Sequence, residues 1–357
     1  MEDKQKLSKY IVSHKATLKD AINQLDAGGE KILFVVNHDN KLFGALTDGD
    51  LRRFILSDGD FKTTVENVCN KKPIKILEPY DLEKIKRLII EKKLSAVPVV
   101  NDCNVLVDIL FWEEIFDSTE HRKPKSSLSN PVVIMAGGKG TRLDPFTKIL
   151  PKPLIPIGDK PIIEIIIDKF VDYGVNDFYL TLNHKSKIIK SYFEELSPSF
   201  NVEFVLEDSP YGTAGSINLL KGRFSEPVIV TNCDIIIDCD YHDFVTHHTK
   251  NKFDLTLAAS LKNYKIPYGI CELSNGGVLE KIVEKPEYNY LVNTGMYVLN
   301  PDMIKLIPEK KHFDMTDFME VIKSSGGKVG VYPISESSWI DTGEWAEYKK
   351  AVQKISF

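Results

Sequence analysis

Apolar residues in the later two thirds of this chain cluster in short unbroken runs, each ending in glycine or polar residues. Val132, Val133, Ile134 and Met135 lead into Gly137-Gly138-Lys139-Gly140, residues 228–231 (VIVT) into Asn232-Cys233-Asp234, and residues 202–206 into Glu207. Runs this short and continuous fit strands buried on both faces. Helical patterns alternate with them, which predicts an α/β domain from Val132 onward, a mostly parallel sheet with helices on both faces. Upstream the pattern repeats. Residues 17–51 align with 81–115 without a gap at a constant offset of 64, with identities at Leu18/Leu82, Val35/Val99, Val36/Val100, Asn37/Asn101, Asn40/Asn104, Leu42/Leu106 and Leu46/Leu110. Each copy reads helix, apolar strand, turn, strand, helix, so the first 120 residues predict one domain of two related halves.

The segment after the strand at 132 is the richest in chemistry. It reads VVIMAGGKGTRLDPFTKILPKPL, and its glycines let successive backbone amides approach an anion closely. Two common phosphate loops are excluded. A Walker A loop places its lysine after the second glycine, whereas Lys139 lies inside the glycines, and a dinucleotide fingerprint needs a small residue where Leu143 stands. Arg142 can fork two N–H groups onto phosphate oxygens, and Lys152, restricted by Pro151 and Pro153, supplies a point charge. The bland reading is two solvated surface cations.

G-G-x-G-T-R-L followed by P-x-T and P-K-P-L resembles the signature of sugar-1-phosphate nucleotidylyltransferases, fixing about a dozen residues over eighteen positions. The resemblance implies a Rossmann-like nucleotidyltransferase domain in which a sugar-phosphate oxygen attacks the α-phosphorus of an NTP and pyrophosphate leaves. It implies that Arg142 and Lys152 are catalytic and that Ala136, Gly137, Gly138, Gly140 and Thr141 hold the nucleotide. Asp234, where the family reads N-G-D and this chain has Cys233 in the middle, and Asp341, within Trp339-Ile340-Asp341-Thr342-Gly343, are then the ligands of Mg²⁺. For either aspartate alone a strand-end turn cap is the plain alternative. Glu207, Gly212 and Thr213, within EDSPYGTAG, resemble the base-facing element, although Thr213 could simply cap the run starting at Ala214. Tyr268-Gly269, Glu284-Lys285-Pro286 and Asn293-Thr294-Gly295 resemble the sugar-side motifs, implying Gly269, Glu284, Lys285, Asn293 and Thr294 as sugar-phosphate-binding residues. The G-T-A-G form is more typical of mannose-1-phosphate guanylyltransferase-like members than the G-L-A-Q of thymidylyl enzymes. GTP is therefore the favoured donor, with CTP and dTTP as alternatives.

The first copy of the repeat closes Gly44-Ala45-Leu46-Thr47-Asp48-Gly49-Asp50, which resembles a cystathionine-β-synthase (CBS) repeat. That resemblance implies a tandem CBS (α+β) domain over 1–120, with repeats at about 7–57 and 64–118, and an adenine or guanine nucleotide contacting Thr47 and Asp50. A capping pair at the helix start is the equal alternative. The second copy has Asp108, Phe111 and Glu114 at the positions of Gly44, Thr47 and Asp50, so only one cleft keeps the expected side chains. A CBS pair ahead of this domain is similar in architecture to guanylyltransferases of legionaminic-acid pathways, which implies glucosamine 1-phosphate as acceptor beside mannose 1-phosphate. Paired CBS modules imply a homodimer.

Composition limits the picture. The net charge of −5, with no basic block beyond His121-Arg122-Lys123-Pro124-Lys125, gives no support to nucleic-acid binding, and residues 121–130 read as a linker to a domain spanning 131–357. No apolar run approaches membrane-spanning length and the N-terminus is too polar for a signal peptide, which predicts no membrane partner and a cytoplasmic protein. The five cysteines include no C-x-x-C and predict reduced thiols. Only residues 342–357 follow Asp341, which predicts no appended left-handed β-helix. The rival function is a non-catalytic regulator that senses a nucleotide sugar. Such relatives commonly lack the arginine, the lysine or a metal aspartate, all of which are present here.

Overall fold

A computed structural model of the chain describes residues 7–28, 31–56, 60–116 and 127–355. The linker expected at 121–130 lies outside the described residues up to 126, as do the repeat ends at 57 and 117–118. Chain contacts divide the molecule into two compact units: Met1–Ile115 with Leu261–Leu291, and Phe116–Ser260 with Val292–Phe357.

The smaller unit contains both halves of the repeat. Strands β1 (Ile11–Ser13), β2 (Ile32–Val36) and β3 (Leu42–Thr47) form one three-stranded sheet, and β4 (Ile76–Leu77), β5 (Ala96–Val100) and β6 (Leu106–Phe111) form another. The offset of 64 seen in the sequence maps β2 onto β5, β3 onto β6 and helix Leu18–Gly28 onto helix Leu82–Lys92 without adjustment. It also explains the repeated asparagines. Asn37 Oδ1 accepts the amides of Asp39 and Lys41, and Asn101 Oδ1 those of Cys103 and Val105, so each closes the hairpin turn. Asn40 and Asn104 occupy the left-handed region at φ 55° and 62°, which asparagine tolerates better than most residues. The two turns then exchange bonds: Leu42 N donates to Asn104 O and Leu106 N to Asn40 O, both at 2.9 Å.

The larger unit is built on a seven-stranded sheet. Along the chain come β7 (Val132–Met135), the short pair β8 (Pro156–Ile157) and β9 (Lys160–Pro161), β10 (Asp177–Leu182), β11 (Asn201–Leu206), β12 (Val228–Asn232), β13 (Ile235–Ile237) and β14 (Leu255–Lys265). They are followed by β17 (Glu287–Leu299), β18 (Val329–Ile334) and β19 (Trp339–Asp341), while β15 (Ile270–Leu273) and β16 (Leu279–Val283), which come between β14 and β17 in the chain, belong to the smaller unit. The sheet order is β11-β10-β7-β12-β17-β14-β18. β11, β10, β7 and β12 run parallel, and β17 pairs antiparallel to β12. Alternate residues of β7 enter opposite cores. Val132 and Ile134 pack with helices Ile162–Val171 and Ser186–Leu196, Val133 and Met135 with Ile217 and helix Met315–Ser324. That two-sided burial is why the strand carries no polar residue. The order places β7 between β10 and β12, so the chain turns from one direction of winding to the other at the β7/β12 boundary. Open α/β sheets form their ligand crevice at such a switch point, beyond the carboxyl ends of the strands.

Candidate active site

The phosphate loop and the two aspartates expected from the sequence lie at that end of the sheet. β7 delivers Ala136, whose amide donates to Thr181 O at 2.9 Å, and the chain then enters the glycine loop. Gly137 has no room for a side chain, because a Cβ would come within 2.4 Å of Glu207 Oε1. Gly140 is required twice over: its φ is +69°, and a Cβ would meet Lys152 Cβ at 2.8 Å. Gly138 has open space around it, so packing does not demand glycine there. Thr141 and Arg142 begin the single turn Thr141–Leu143 that comes next.

Lys152 sits in a second tight turn, Lys152–Leu154, with Pro151 extended before it. Its side chain is 8% exposed and its ammonium pairs with Asp234 Oδ2, itself 15% exposed, at the end of β12. Burial of both partners makes this pair costly to break. Arg142 Nη2 lies 3.9 Å from the same Asp234 oxygen, and Arg142 Nη1 lies 3.3 Å from Glu344 Oε1. Asp341 arrives from the other end of the chain. β19 pairs antiparallel with β13, setting Asp341 opposite Ile235, the residue after Asp234. Thr342, fully buried, donates both its amide and its hydroxyl to Asp234 O at 2.8 Å, and Gly343 N donates to Asp341 Oδ1 at 2.7 Å. A Cβ on Gly343 would fall 2.8 Å from Asp341 Oδ1, 3.2 Å from Asp234 Oδ2 and 3.3 Å from Arg142 Nη2. One point therefore has both carboxylates and the guanidinium around it.

Two hard carboxylate oxygens facing a cradle that a methyl group would fill suit a small divalent cation completed by phosphates and water. Among the described residues no group of three or more His, Cys, Asp or Glu forms a complete metal cage. Cys233, between Asn232 and Asp234, is buried, and its thiol is pushed up to about 12 by burial and by the charge of Asp234, so it stays neutral. Its φ is not positive, so the family's glycine at this place is not needed for backbone shape.

Glu207, expected from the sequence to face the base, is buried after β11. Burial raises its carboxyl above the ordinary 4.5, opposed by the Tyr211 amide that donates to Oε2 at 3.3 Å. Gly212 has φ +80°. The idea that Thr213 caps the run starting at Ala214 needs correction. Thr213 lies inside helix Gly212–Gly215, and its hydroxyl accepts Met315 N at 2.9 Å, serving the helix Met315–Ser324 instead. Its own amide and hydroxyl donate to Asp314 Oδ1.

The motifs expected from the sequence to face the sugar divide between the units. In the larger, Thr294 Oγ1 donates to Ala258 O at 2.8 Å, Asn293 Oδ1 accepts Gly295 N, and Gly295 (φ +88°) packs against the Asn232 amide. Gly269, Glu284 and Lys285 belong to the smaller. A Cβ on Gly269 would meet Glu284 Oε2 at 2.8 Å, and Lys285 N donates to Tyr268 O at 3.2 Å. Thr47 and Asp50 form a reciprocal box: Thr47 Oγ1 donates to Asp50 Oδ2 at 2.7 Å and accepts Asp50 N at 3.2 Å. Thr17 and Asp20 form the same box at another helix, so this arrangement alone is a cap. At the matching place in the second repeat, Phe111 is buried in the core.

Sequence reasoning missed Glu344 and Thr342. Both lie in or directly after the W-x-D-x-G stretch, and their signal was a polar residue on each side of its glycine.

Comparisons with known proteins identify the families of the two domains. A family model described as nucleotidyl transferase matches residues 131–356, and one described as CBS domain matches 8–57 and 65–118. A mannose-1-phosphate guanyltransferase from Yarrowia lipolytica is 30% identical over 223 residues, covering 59% of this chain and 60% of its own. The chain thus spans about 60% of the length of that curated relative. The crystal structure of HddC from Yersinia pseudotuberculosis superposes with a TM-score of 0.51 at 27% identity, covering 63% of this chain and 99% of that one. The same protein complexed with GMP-PN gives 0.50 at 28%, with the same coverage.

Proposed function

This chain belongs to the nucleotidyl transferase family, and we propose that it transfers a nucleotidyl group from an NTP to a sugar 1-phosphate, releasing pyrophosphate. GTP is the favoured donor, and glucosamine 1-phosphate or mannose 1-phosphate the favoured acceptor. The observation that carries the proposal is the meeting of Arg142, Asp234 and Asp341 around Gly343, with Lys152 paired to Asp234. In the reaction a phosphate oxygen of the sugar 1-phosphate forms a bond to the α-phosphorus, and the bond from that phosphorus to the bridging oxygen of pyrophosphate breaks. Charge gathers on the transferred and departing groups. Lys152 leaves Asp234 to meet the α-phosphate, and Arg142 exchanges Glu344 for the departing phosphates, so both cations move from protein carboxylates to substrate. Asp234 and Asp341 would hold a magnesium ion, whose charge offsets that of the phosphates.

Glu207 supports guanine. A carboxylate accepts only, and guanine alone among the common bases offers two adjacent donors, N1–H and the 2-amino group, to such an acceptor. The guanyltransferase relative and the neighbour crystallised with GMP-PN support the same choice. A nucleotide at Thr47 and Asp50 of the first CBS repeat, and a cytoplasmic setting in keeping with five free cysteines, complete the proposal.

The test is pyrophosphate release on mixing the protein and magnesium with each of GTP, CTP, UTP, dTTP and ATP against a panel of sugar 1-phosphates. Turnover with GTP above the other donors is expected. Absence of turnover with every pair overturns catalysis in favour of a nucleotide-sugar sensor.

A further inference from the structure

β14 ends and β17 begins inside the smaller unit, and the chain between them carries Tyr268, Gly269, Glu284 and Lys285. This arm has little of its own to hold it. Among the described residues β15 and β16 pair only with each other, with a register shift at Glu272/Leu273, and Leu273, Leu279 and Ile282 are exposed. An isolated two-stranded ribbon is marginal in water. Within it the sugar-side motifs are locked together: Glu284 seats on Gly269, Lys285 N donates to Tyr268 O, and Lys285 takes the left-handed φ of 45°. Any displacement at the root of the arm therefore moves Glu284 and Lys285 together.

That root is gripped by both CBS repeats. Lys31 of the first repeat donates from Nζ to Asn263 Oδ1 at 2.8 Å. Asn263 Nδ2 donates across the arm to Asn289 Oδ1 at 2.9 Å, and Asn289 Nδ2 donates to the carbonyl of Lys93 in the second repeat at 3.4 Å. Lys93 is the left-handed cap of helix Leu82–Lys92 and holds its ammonium 5.5 Å from the centre of the Tyr290 ring. Four residues thus join the two repeats through the two strands of the arm. Lys31 is also tied to the turn that carries Thr47 and Asp50: its carbonyl accepts the amide of Asp48, which lies between them, at 3.1 Å.

We infer that the CBS pair is a positioning device for acceptor binding, in which Lys31, Asn263, Asn289 and Lys93 fix the arm that carries Glu284 and Lys285. These four act through the arm and touch no substrate. The inference rests on the sugar-side reading of Glu284 and Lys285. Misplacement of a binding group by about 1 Å is enough to weaken its use, so the grip acts on affinity for the sugar phosphate and leaves the nucleotide side alone.

Lys31→Ala in the full chain tests this, with steady-state kinetics on the donor and sugar 1-phosphate that turn over in the pyrophosphate assay. Lys31 is exposed, so its loss leaves the core intact. The expected result is a KM for the sugar 1-phosphate raised roughly three- to tenfold, the range for one lost hydrogen bond of ordinary net strength, with kcat and the donor KM within about twofold and rescue by Lys31→Arg. Asn289→Ala should give the same split. An unchanged sugar KM in both variants, or parallel shifts in both KM values, overturns the inference. Glu284→Ala separates the two levels. If it leaves the sugar KM unchanged, the sugar-side reading fails and takes the inference with it; if it raises that KM while Lys31→Ala does not, the reading stands and the grip alone is wrong.

Discussion

Lys152 and Glu207 are the two side chains whose burial makes the sharpest demands. The lysine ammonium is removed from water beside Asp234, and its stem packs beside Gly140. Lys152→Met preserves that stem and deletes only the charge. It should lower kcat/KM by about a hundredfold or more, the usual cost of losing one preorganised charge-stabilising group, while far-UV circular dichroism stays unchanged; near-native rates would remove Lys152 from the chemistry. Glu207 gives a pH signature with a definite sign. Its carboxyl is raised above 4.5 by burial, so the folded state binds its proton more tightly than the unfolded state does. Stability tied to this group is complete below about pH 4.5 and falls as the pH rises through the raised value, where charge forms in a desolvated place. Glu207→Gln should match the native protein in urea melts at about pH 4 and exceed it at neutral pH without ligand. The same substitution puts an amide donor against guanine's two donors and should lower kcat/KM for GTP at least about tenfold. A variant equally stable at both pH values and equally active with GTP would place Glu207 outside base recognition.

Among the elements, the glycine loop was legible because a buried strand and a lysine-bearing turn close it at both ends and leave its spacing no slack. Gly140 shows why. Its positive φ and the Lys152 side chain against its Cα are a single constraint, so Gly140→Ala should cost about 1–2 kcal/mol from backbone shape alone and shift Lys152 as well, seen as a lower melting temperature together with a lower kcat. Melting and rate both at native values would show that the loop tolerates a side chain. The strands at 132–135 and 228–232 were legible for a related reason, since burial on both faces leaves an unbroken apolar run. What spacing could not supply was the pairing of β13 with β19, which sets Asp341 beside Asp234 although they are far apart in the chain. Nor could it reveal that Thr342 spends its amide and hydroxyl on Asp234 O, or that Thr213 serves a helix near residue 315. Such contacts depend on tertiary register, to which a local pattern is blind. Asn37, Asn40 and their counterparts at 101 and 104 stood out as identities, and only the turns they close explain them.

For the whole molecule, the repeat at an offset of 64 foretold the CBS pair, yet nothing in it foretold that Leu261–Leu291 would group with that pair. The polar root residues Asn263 and Asn289 look like ordinary strand-end composition until both repeats are seen to hold them. Two compact units with separate cores should unfold in two calorimetric transitions, and ligands then report where they bind by mass action. Magnesium with GTP should raise mainly the transition of the unit containing Gly140 and Lys152, by the equivalent of about 2.7 kcal/mol at a hundredfold excess over Kd. AMP, ADP or GDP at the first CBS cleft should raise mainly the other transition. In that cleft Thr47 and Asp50 already satisfy each other, so a bound nucleotide must compete with the cap it displaces. Thr47→Val breaks the box by removing the hydroxyl that bonds Asp50, costing roughly 0.5–2 kcal/mol as a lost cap, and abolishes the nucleotide-dependent rise only if the cleft binds through that hydroxyl. A lower transition in Thr47→Val with no nucleotide response in the native protein would assign the pair to capping and leave the CBS module with the mechanical task of holding the arm.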